Sequence, residues 1–305
     1  NPSKVGYTFA GWTGSNGETA QTTVTIAKGS TENKTYTANW TINAYTLTIN
    51  PNGGTWGGAT TNSTAKQNYL TTKKIAVPSR IGYTFAGWKL TGAGSITEIA
   101  PISTTEQTYT YGAGNATLTA NWTVNKYTLT RTAEIGGSVS GSSGSIAYGT
   151  SCTVTATASN GYSFEGWYEG TTRVSTNASY TFTMPANNRT LVAKFNIIQY
   201  TISYNANGGS GAPASQTKNH GTAITLSTTI PTRTDYIFLG WSTSSNATSA
   251  IYKAGATYSA EGNQTLYAVW KSNVIKFLPS SHLRIDGNLG TETKVYDSIS
   301  ATIPA

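Results

Sequence analysis

Short stretches of alternating apolar and polar residues, bounded by Gly, Asn and Ser, run the length of this chain. In 199–205, Tyr200, Ile202 and Tyr204 share one face and Thr201 and Ser203 the other, the period-two signature of a half-buried strand. Asn207-Gly208-Gly209 follows as a turn, because glycine reaches positive φ without a Cβ clash. A second strand is expected near 223–227. Pro231 and Arg233 then lead into a strand over 236–241, and proline suits a strand's start but not its middle. The stretch 265–270 closes the unit with Leu266, Ala268 and Trp270 on one face. No segment sustains a helical period, so one short helix per unit is the most the pattern allows.

This unit recurs. Gly-Tyr-Thr-Phe-Ala-Gly-Trp stands at 6–12 and again at 82–88, and returns as Gly-Tyr-Ser-Phe-Glu-Gly-Trp at 161–167 and Asp-Tyr-Ile-Phe-Leu-Gly-Trp at 235–241. The phrase-ending tryptophans, Trp12, Trp88, Trp167 and Trp241, are 76, 79 and 74 residues apart. Arrays of one small module are spacers, scaffolds or multivalent binders before they are enzymes. The last aromatic of each unit precedes the first tyrosine of the next by five residues: Trp40 to Tyr45, Trp122 to Tyr127 and Phe195 to Tyr200. Joints this short and constant imply a stiff rod, with each unit about 30 Å across and the whole on the order of 100 Å long.

The boundaries that follow are 1–43, 44–125, 126–198, 199–272 and a departing tail, 273–305, that starts a different module or a cap. Residues 1–6 align with 77–82, so the first unit lacks the counterpart of 44–76. The expectation is a fragment of a longer protein, with a strand donated by another chain as the alternative.

Composition narrows the class. Only 10% of residues are charged, and Thr, Ser, Asn and Gly supply the polarity, a mixture for strands and turns. The net charge of +8 is scattered, with only Lys73 and Lys74 adjacent among the basic residues, which disfavours nucleic acid and leaves room for anionic glycans. No transmembrane run is present, so no membrane insertion is expected in this segment. Cys152 is alone, in an alternating strand pattern, and reads as a small buried apolar residue.

Tyr-Thr-Ile-Ser-Tyr-Asn-Ala-Asn-Gly-Gly at 200–209, Pro-Thr-Arg-Thr-Asp-Tyr-Ile-Phe-Leu-Gly-Trp at 231–241 and Leu-Tyr-Ala-Val-Trp at 266–270 together resemble the Listeria–Bacteroides repeat, the internalin B-repeat type of surface module. Residues 126–198 look like a divergent cousin, in which Phe195 replaces the closing tryptophan. The resemblance implies a β-dominated α+β fold of tandem β-grasp-like modules, secretion by a bacterium, and service in a stalk or adhesin. It carries no catalytic residues to transfer.

The repeated aromatics are expected to form the core of each module: Tyr7, Phe9, Trp12 and Trp40; Tyr83, Phe85, Trp88 and Trp122; Tyr162, Phe164, Trp167 and Phe195; Tyr236, Phe238, Trp241 and Trp270. Trp56 lies outside the repeated pattern, in a Gly-rich loop, and is the better candidate for an exposed binding contact. Asp286, Asn288 and Glu292 faintly suggest a calcium loop but fit no EF-hand, and Asp-Gly is first a hairpin turn. His220 and His282 have no metal-ligand spacing. No nucleophile elbow, phosphate-binding loop or paired-acid pattern is present, so neither catalysis nor a cofactor is expected. The function expected is a non-enzymatic spacer on a bacterial cell surface. The alternatives are an adhesin for cell-wall or host glycans and a fibre subunit that pairs with copies of itself.

Overall fold

A computed structural model describes residues 1–97 and 104–277, together with the strand segments 284–285, 288–289 and 294–296. Among the described residues every regular element is a strand. The β-dominated expectation stands, and the helix allowed per module is absent from them. The long connections that would have held it are rich in Thr, Ser, Asn and Gly, which prefer turns and extended backbone to helix. The chain divides into two compact units: Asn1–Thr130 with Gly141–Val154 and Thr181–Thr190, and Arg131–Ser140 with Thr155–Tyr180 and Leu191–Ala305.

In the first unit, Tyr7–Gly14 lies between Gly17–Gln21 and Tyr36–Ile42 in an antiparallel three-stranded sheet. A five-stranded sheet follows. Ala44–Asn50 pairs antiparallel with Ser63–Asn68 and parallel with Gln107–Val124, so that Leu47 faces Ala116 and Ile49 faces Leu118. Gln107–Val124 also takes Thr72–Ile75 and Tyr83–Thr97 as antiparallel partners. The segment that closes this unit at Trp122, the counterpart of 265–270, is thus the end of an 18-residue strand. Its extension buries Tyr109 and Tyr111 beside Ile75, Leu47 and Leu118. Both phenols stay satisfied, Tyr109 donating to Ala93 O at 2.6 Å and Tyr111 to Ala65 O at 3.3 Å. Their burial raises both pKa values. Residues 126–129 of the strand Lys126–Ala133 pair antiparallel with Gly144–Ala147.

In the second unit, a four-stranded sheet has the order Gln216–Asn219, Gln199–Asn205, Gln264–Ser272, Tyr236–Ser242. The inner pair is parallel and the outer pairings antiparallel. The second strand expected near 223–227 shrinks to two residues, and another strand precedes it, outside that expectation. Gln216–Asn219 pairs with the opening strand, while Ile224–Thr225 pairs with Thr257–Tyr258. Ile202, Leu226, Trp241, Tyr258, Leu266 and Ala268 form the core. Tyr162–Glu169 pairs with Thr172–Ser175 and with the end of Arg189–Ile197.

A β-bulge explains the repeated phrase. In a regular strand, residues i and i+3 point to opposite faces. Phe9 and Trp12 are three apart, yet their rings meet at 5.3 Å. The register shifts between Phe9 and Gly11, and likewise between Phe85 and Trp88, Phe164 and Gly166, and Phe238 and Gly240. The extra residue returns Trp to the face of Phe, with ring separations of 5.2, 6.1 and 5.0 Å in the other copies. Gly240 has a φ of +138°, and a Cβ there would lie 2.4 Å from Tyr252 O. Phe9, Phe85, Phe164 and Phe238 each sit opposite the closing aromatic, Trp40, Trp122, Phe195 and Trp270, at 5.6 to 5.7 Å.

Candidate functional site

Trp88, Trp167, Trp241, Phe85 and Phe195 are buried. Trp12, Trp40, Trp122, Trp270, Phe9, Phe164 and Phe238 are half-buried. None of the phrase's tyrosines is fully buried. Tyr7, Tyr83 and Tyr162 are half-buried and Tyr236 is 38% exposed, because the tyrosine lies at the end of its strand, where one repeat meets the next.

That meeting point is built the same way each time, from a glycine, a linker residue and an aromatic of the following repeat. Asn43 N–H donates to Gly6 O at 2.9 Å, and its carbonyl accepts from Tyr69 N–H at 2.9 Å. Asn125 makes the same two bonds with Gly82 and Tyr148, both at 2.9 Å. Ile198 makes them with Gly161 and His220, at 2.8 and 2.9 Å. One linker residue therefore satisfies backbone groups on both sides. In the first two joints its side chain adds a third tie, Asn43 Oδ1 accepting from Thr8 Oγ1 and Asn125 Oδ1 from Thr84 Oγ1, each at 2.6 Å.

The glycines are required twice over. Gly6, Gly82 and Gly161 have φ of +77°, +76° and +81°, a region that L side chains avoid. A Cβ on them would lie 2.1, 2.2 and 2.1 Å from ring atoms of Tyr69, Tyr148 and His220. The joint tyrosines also meet edge to face, Tyr7 with Tyr69 at 6.1 Å and Tyr83 with Tyr148 at 5.9 Å. In the fourth phrase Asp235, at φ +64°, takes the glycine's place, and its carbonyl accepts from Asn273 N–H at 2.8 Å. Aspartate tolerates this left-handed conformation better than most residues.

The third joint carries charge. His220 Nδ1 lies 3.0 Å from Tyr200 OH and 3.3 Å from Glu261 Oε2, and its Nε2 is 3.3 Å from Asn160 Nδ2. Lys218, with no exposed surface, donates to Glu261 Oε1 at 2.9 Å, which also accepts from Gly221 N–H at 3.0 Å. The Lys218 hydrogen bond, aided by the Gly221 amide and the nearby cations and opposed by desolvation, holds the Glu261 pKa below its usual 4.5. A buried ammonium needs such a partner.

Beside the joints lie the Asn-Gly-Gly turns. Asn52 and Asn207 adopt φ of +49° and +47°, and their side-chain amides donate to Ala120 O and Ala268 O at 2.9 and 3.0 Å. Trp122 Nε1 and Trp270 Nε1 donate to Pro51 O and Ala206 O in the same turns. Each turn borders an open groove. One, of about 700 Å³, is lined by Gly53, Ser79, Arg80, Ile81, Tyr83 and Tyr148. The other, of about 660 Å³, is lined by Gly208, Ser210, Thr232, Arg233 and Thr234.

Trp56 is half-buried rather than free. It packs against the core of the 44–125 sheet, and its Nε1 donates to Ala76 O at 2.9 Å. Cys152 is buried, and that burial pushes its thiol pKa up. No group of three His, Cys, Asp or Glu side chains able to hold a metal occurs among the described residues. Asp286, Glu292, His282 and the side chain of Asn288 lie outside them. Sequence reasoning missed Gly6, Gly82 and Gly161, their aromatic partners, and Arg80 and Arg233. The glycines and Arg80 and Arg233 were visible as fixed neighbours of the tyrosine. The aromatic partners stand in the dissimilar contexts Asn-Tyr-Leu, Ala-Tyr-Gly and Asn-His-Gly.

Small sheets joined through identical five-residue steps define a tandem array of β-modules. The Listeria-Bacteroides repeat domain profile matches residues 45–121 and 200–269, and the divergent InlB B-repeat domain profile matches 3–44 and 127–199. The chain belongs to this repeat family, its members set in tandem. It is also similar to two proteins of Evansella cellulosilytica. One, named "Putative Gly-rich membrane protein", is 28% identical over 99% of the chain and 34% of its own length. The other, named "Putative membrane protein", is 28% identical over 97% of the chain and 42% of its own length. The chain thus spans about a third to two fifths of these relatives. No helix among the described residues is long and apolar enough to cross a membrane.

Proposed function

We propose that this chain is a non-enzymatic spacer segment of a bacterial cell-envelope protein, displayed outside the cell, whose modules hold one another at fixed angles. The observation that carries this reading is the joint, in which one linker residue is hydrogen-bonded to the repeats on both sides in three successive places. A flexible tether has no use for a left-handed glycine roofed by an aromatic ring. The names of the two relatives support an envelope location. The family match supports a structural role without catalysis, and the parallel inner pair of the 199–272 sheet supports a β-grasp-like module whose crossover is made without a helix.

Small-angle scattering of the chain tests the reading. A stiff rod of about 100 Å has a radius of gyration near 29 Å, against about 19 Å for a compact chain of this length. A value near 19 Å removes the spacer reading.

A further inference from the structure

The Asn-Gly-Gly turns hold an arginine in a way that neither the core nor the joint requires. Arg80 Cζ lies 3.9 Å from the centroid of the Tyr83 ring. The same carbon lies 3.3 Å from where a Cβ on Gly53 would stand. The guanidinium therefore lies against both a phenol ring and a bare glycine, and Nη1 donates to Asn52 O at 3.2 Å. Arg233 repeats the arrangement, 3.8 Å from the Tyr236 ring and 3.5 Å from a Cβ at Gly208. Lys4 stands at the equivalent place in the first repeat, 4.1 Å over Tyr7.

Among the described residues, neither guanidinium is paired with a carboxylate. Arginine offers five N–H donors in a planar fork, and the Arg80 side chain spends one of them on Asn52. Its stacked position fixes the fork's orientation beside an open groove, which lowers the ordering cost of binding. Ser79 in one groove and Ser210 and Thr232 in the other supply hydroxyls. Ile81, 77% exposed, and Tyr148 give the first groove an apolar wall.

We propose that these two grooves are binding sites for carboxylate-bearing sugars of an acidic polysaccharide. The guanidinium takes the carboxylate as a bidentate ion pair. The Ser and Thr hydroxyls meet the sugar hydroxyls, and in the first groove Ile81 and Tyr148 cover the ring. The net charge of +8 attracts the polyanion to the chain. The first groove, having the apolar wall, is the tighter.

Calorimetric titration of the whole chain with trigalacturonate at low salt, beside its neutral methyl ester, tests the proposal. The expected result is about two sites per chain for the acid and none for the ester. Arg80→Gln or Arg233→Gln each lowers the stoichiometry to about one, and the double variant weakens binding about tenfold or more. Arg80→Lys, which keeps the charge and loses the fork, behaves like Arg80→Gln. The charge-matched control, Lys89→Gln with Lys271→Gln at exposed positions, leaves binding intact. Absence of binding by the wild type, equal loss in the control, or tighter binding of a glycerol-phosphate oligomer of the same charge overturns the proposal. None of these outcomes bears on the scattering test of the spacer reading.

Discussion

The ring of Tyr148 occupies the space where any side chain at position 82 would begin: a Cβ on Gly82 would lie 2.2 Å from the ring's Cγ. Gly82 belongs to one repeat and Tyr148 to the next, so the space left by one module is filled by its neighbour.

Gly82→Ala therefore meets two separable penalties. The left-handed φ costs about 1–2 kcal/mol for an L residue, and the ring clash adds to it. Tyr148→Ala in the same chain is expected to relieve the clash and leave the backbone penalty. Chemical denaturation of the two single variants and the double variant measures this as a favourable coupling energy. Additive penalties would show that the ring does not press on Gly82.

The signature tryptophans should differ in worth according to burial. Trp167→Ala and Trp241→Ala each remove a wholly buried indole and are expected to cost about 3–5 kcal/mol. Trp12→Ala, at a half-buried site, should cost markedly less. Denaturation followed by fluorescence of the remaining tryptophans ranks them.

Acid should loosen the fourth repeat through Glu261. Its folded-state pKa lies below 4.5, so the contribution of the Lys218–Glu261 pair is complete above that pH and fades as the pH falls through the lowered value. Glu261→Gln leaves Lys218 without its carboxylate, with His220, Tyr200 and Tyr258 as ionisable neighbours. The stability difference between wild type and Glu261→Gln is expected to be full above pH 4.5 and to shrink as the pH falls below it. Thermal melts across pH 3 to 7 check this, and a difference that does not vary with pH would contradict it.

Cys152 offers a probe of local opening. With 1% of its surface exposed and its pKa raised by burial, the thiol should resist a maleimide in the native chain and react on denaturation. Labelling rates across a denaturant series then report the opening of the 126–198 region.

The strands were legible because alternation and the Gly-Trp phrase are local signals. So was the constancy of the joints, which is a matter of counting. The bulge was not, since Phe and Trp three residues apart give no sign of sharing a face until the register is known. Repetition alone marks the phrase's tyrosines as core, yet Tyr236 is 38% exposed and Tyr83 meets Tyr148 across a joint. Recurrence marks a constant environment, and a joint is as constant as a core. Trp56 looked available because its loop is rich in glycine, whereas the loop folds back and its indole bonds to Ala76. The arginine's placement depends on the Gly53 turn meeting the Arg80–Tyr83 segment, which spacing alone does not reveal.

The central claim is that the joint fixes one repeat against the next. Spin labels at Lys89→Cys and Ser145→Cys, in a Cys152→Ala background, lie on either side of the Gly82–Tyr148 joint at exposed positions. Pulsed electron–electron distance measurement should give a single narrow distribution that broadens in Gly82→Val. A broad distribution in the chain with Gly82 intact would contradict the account.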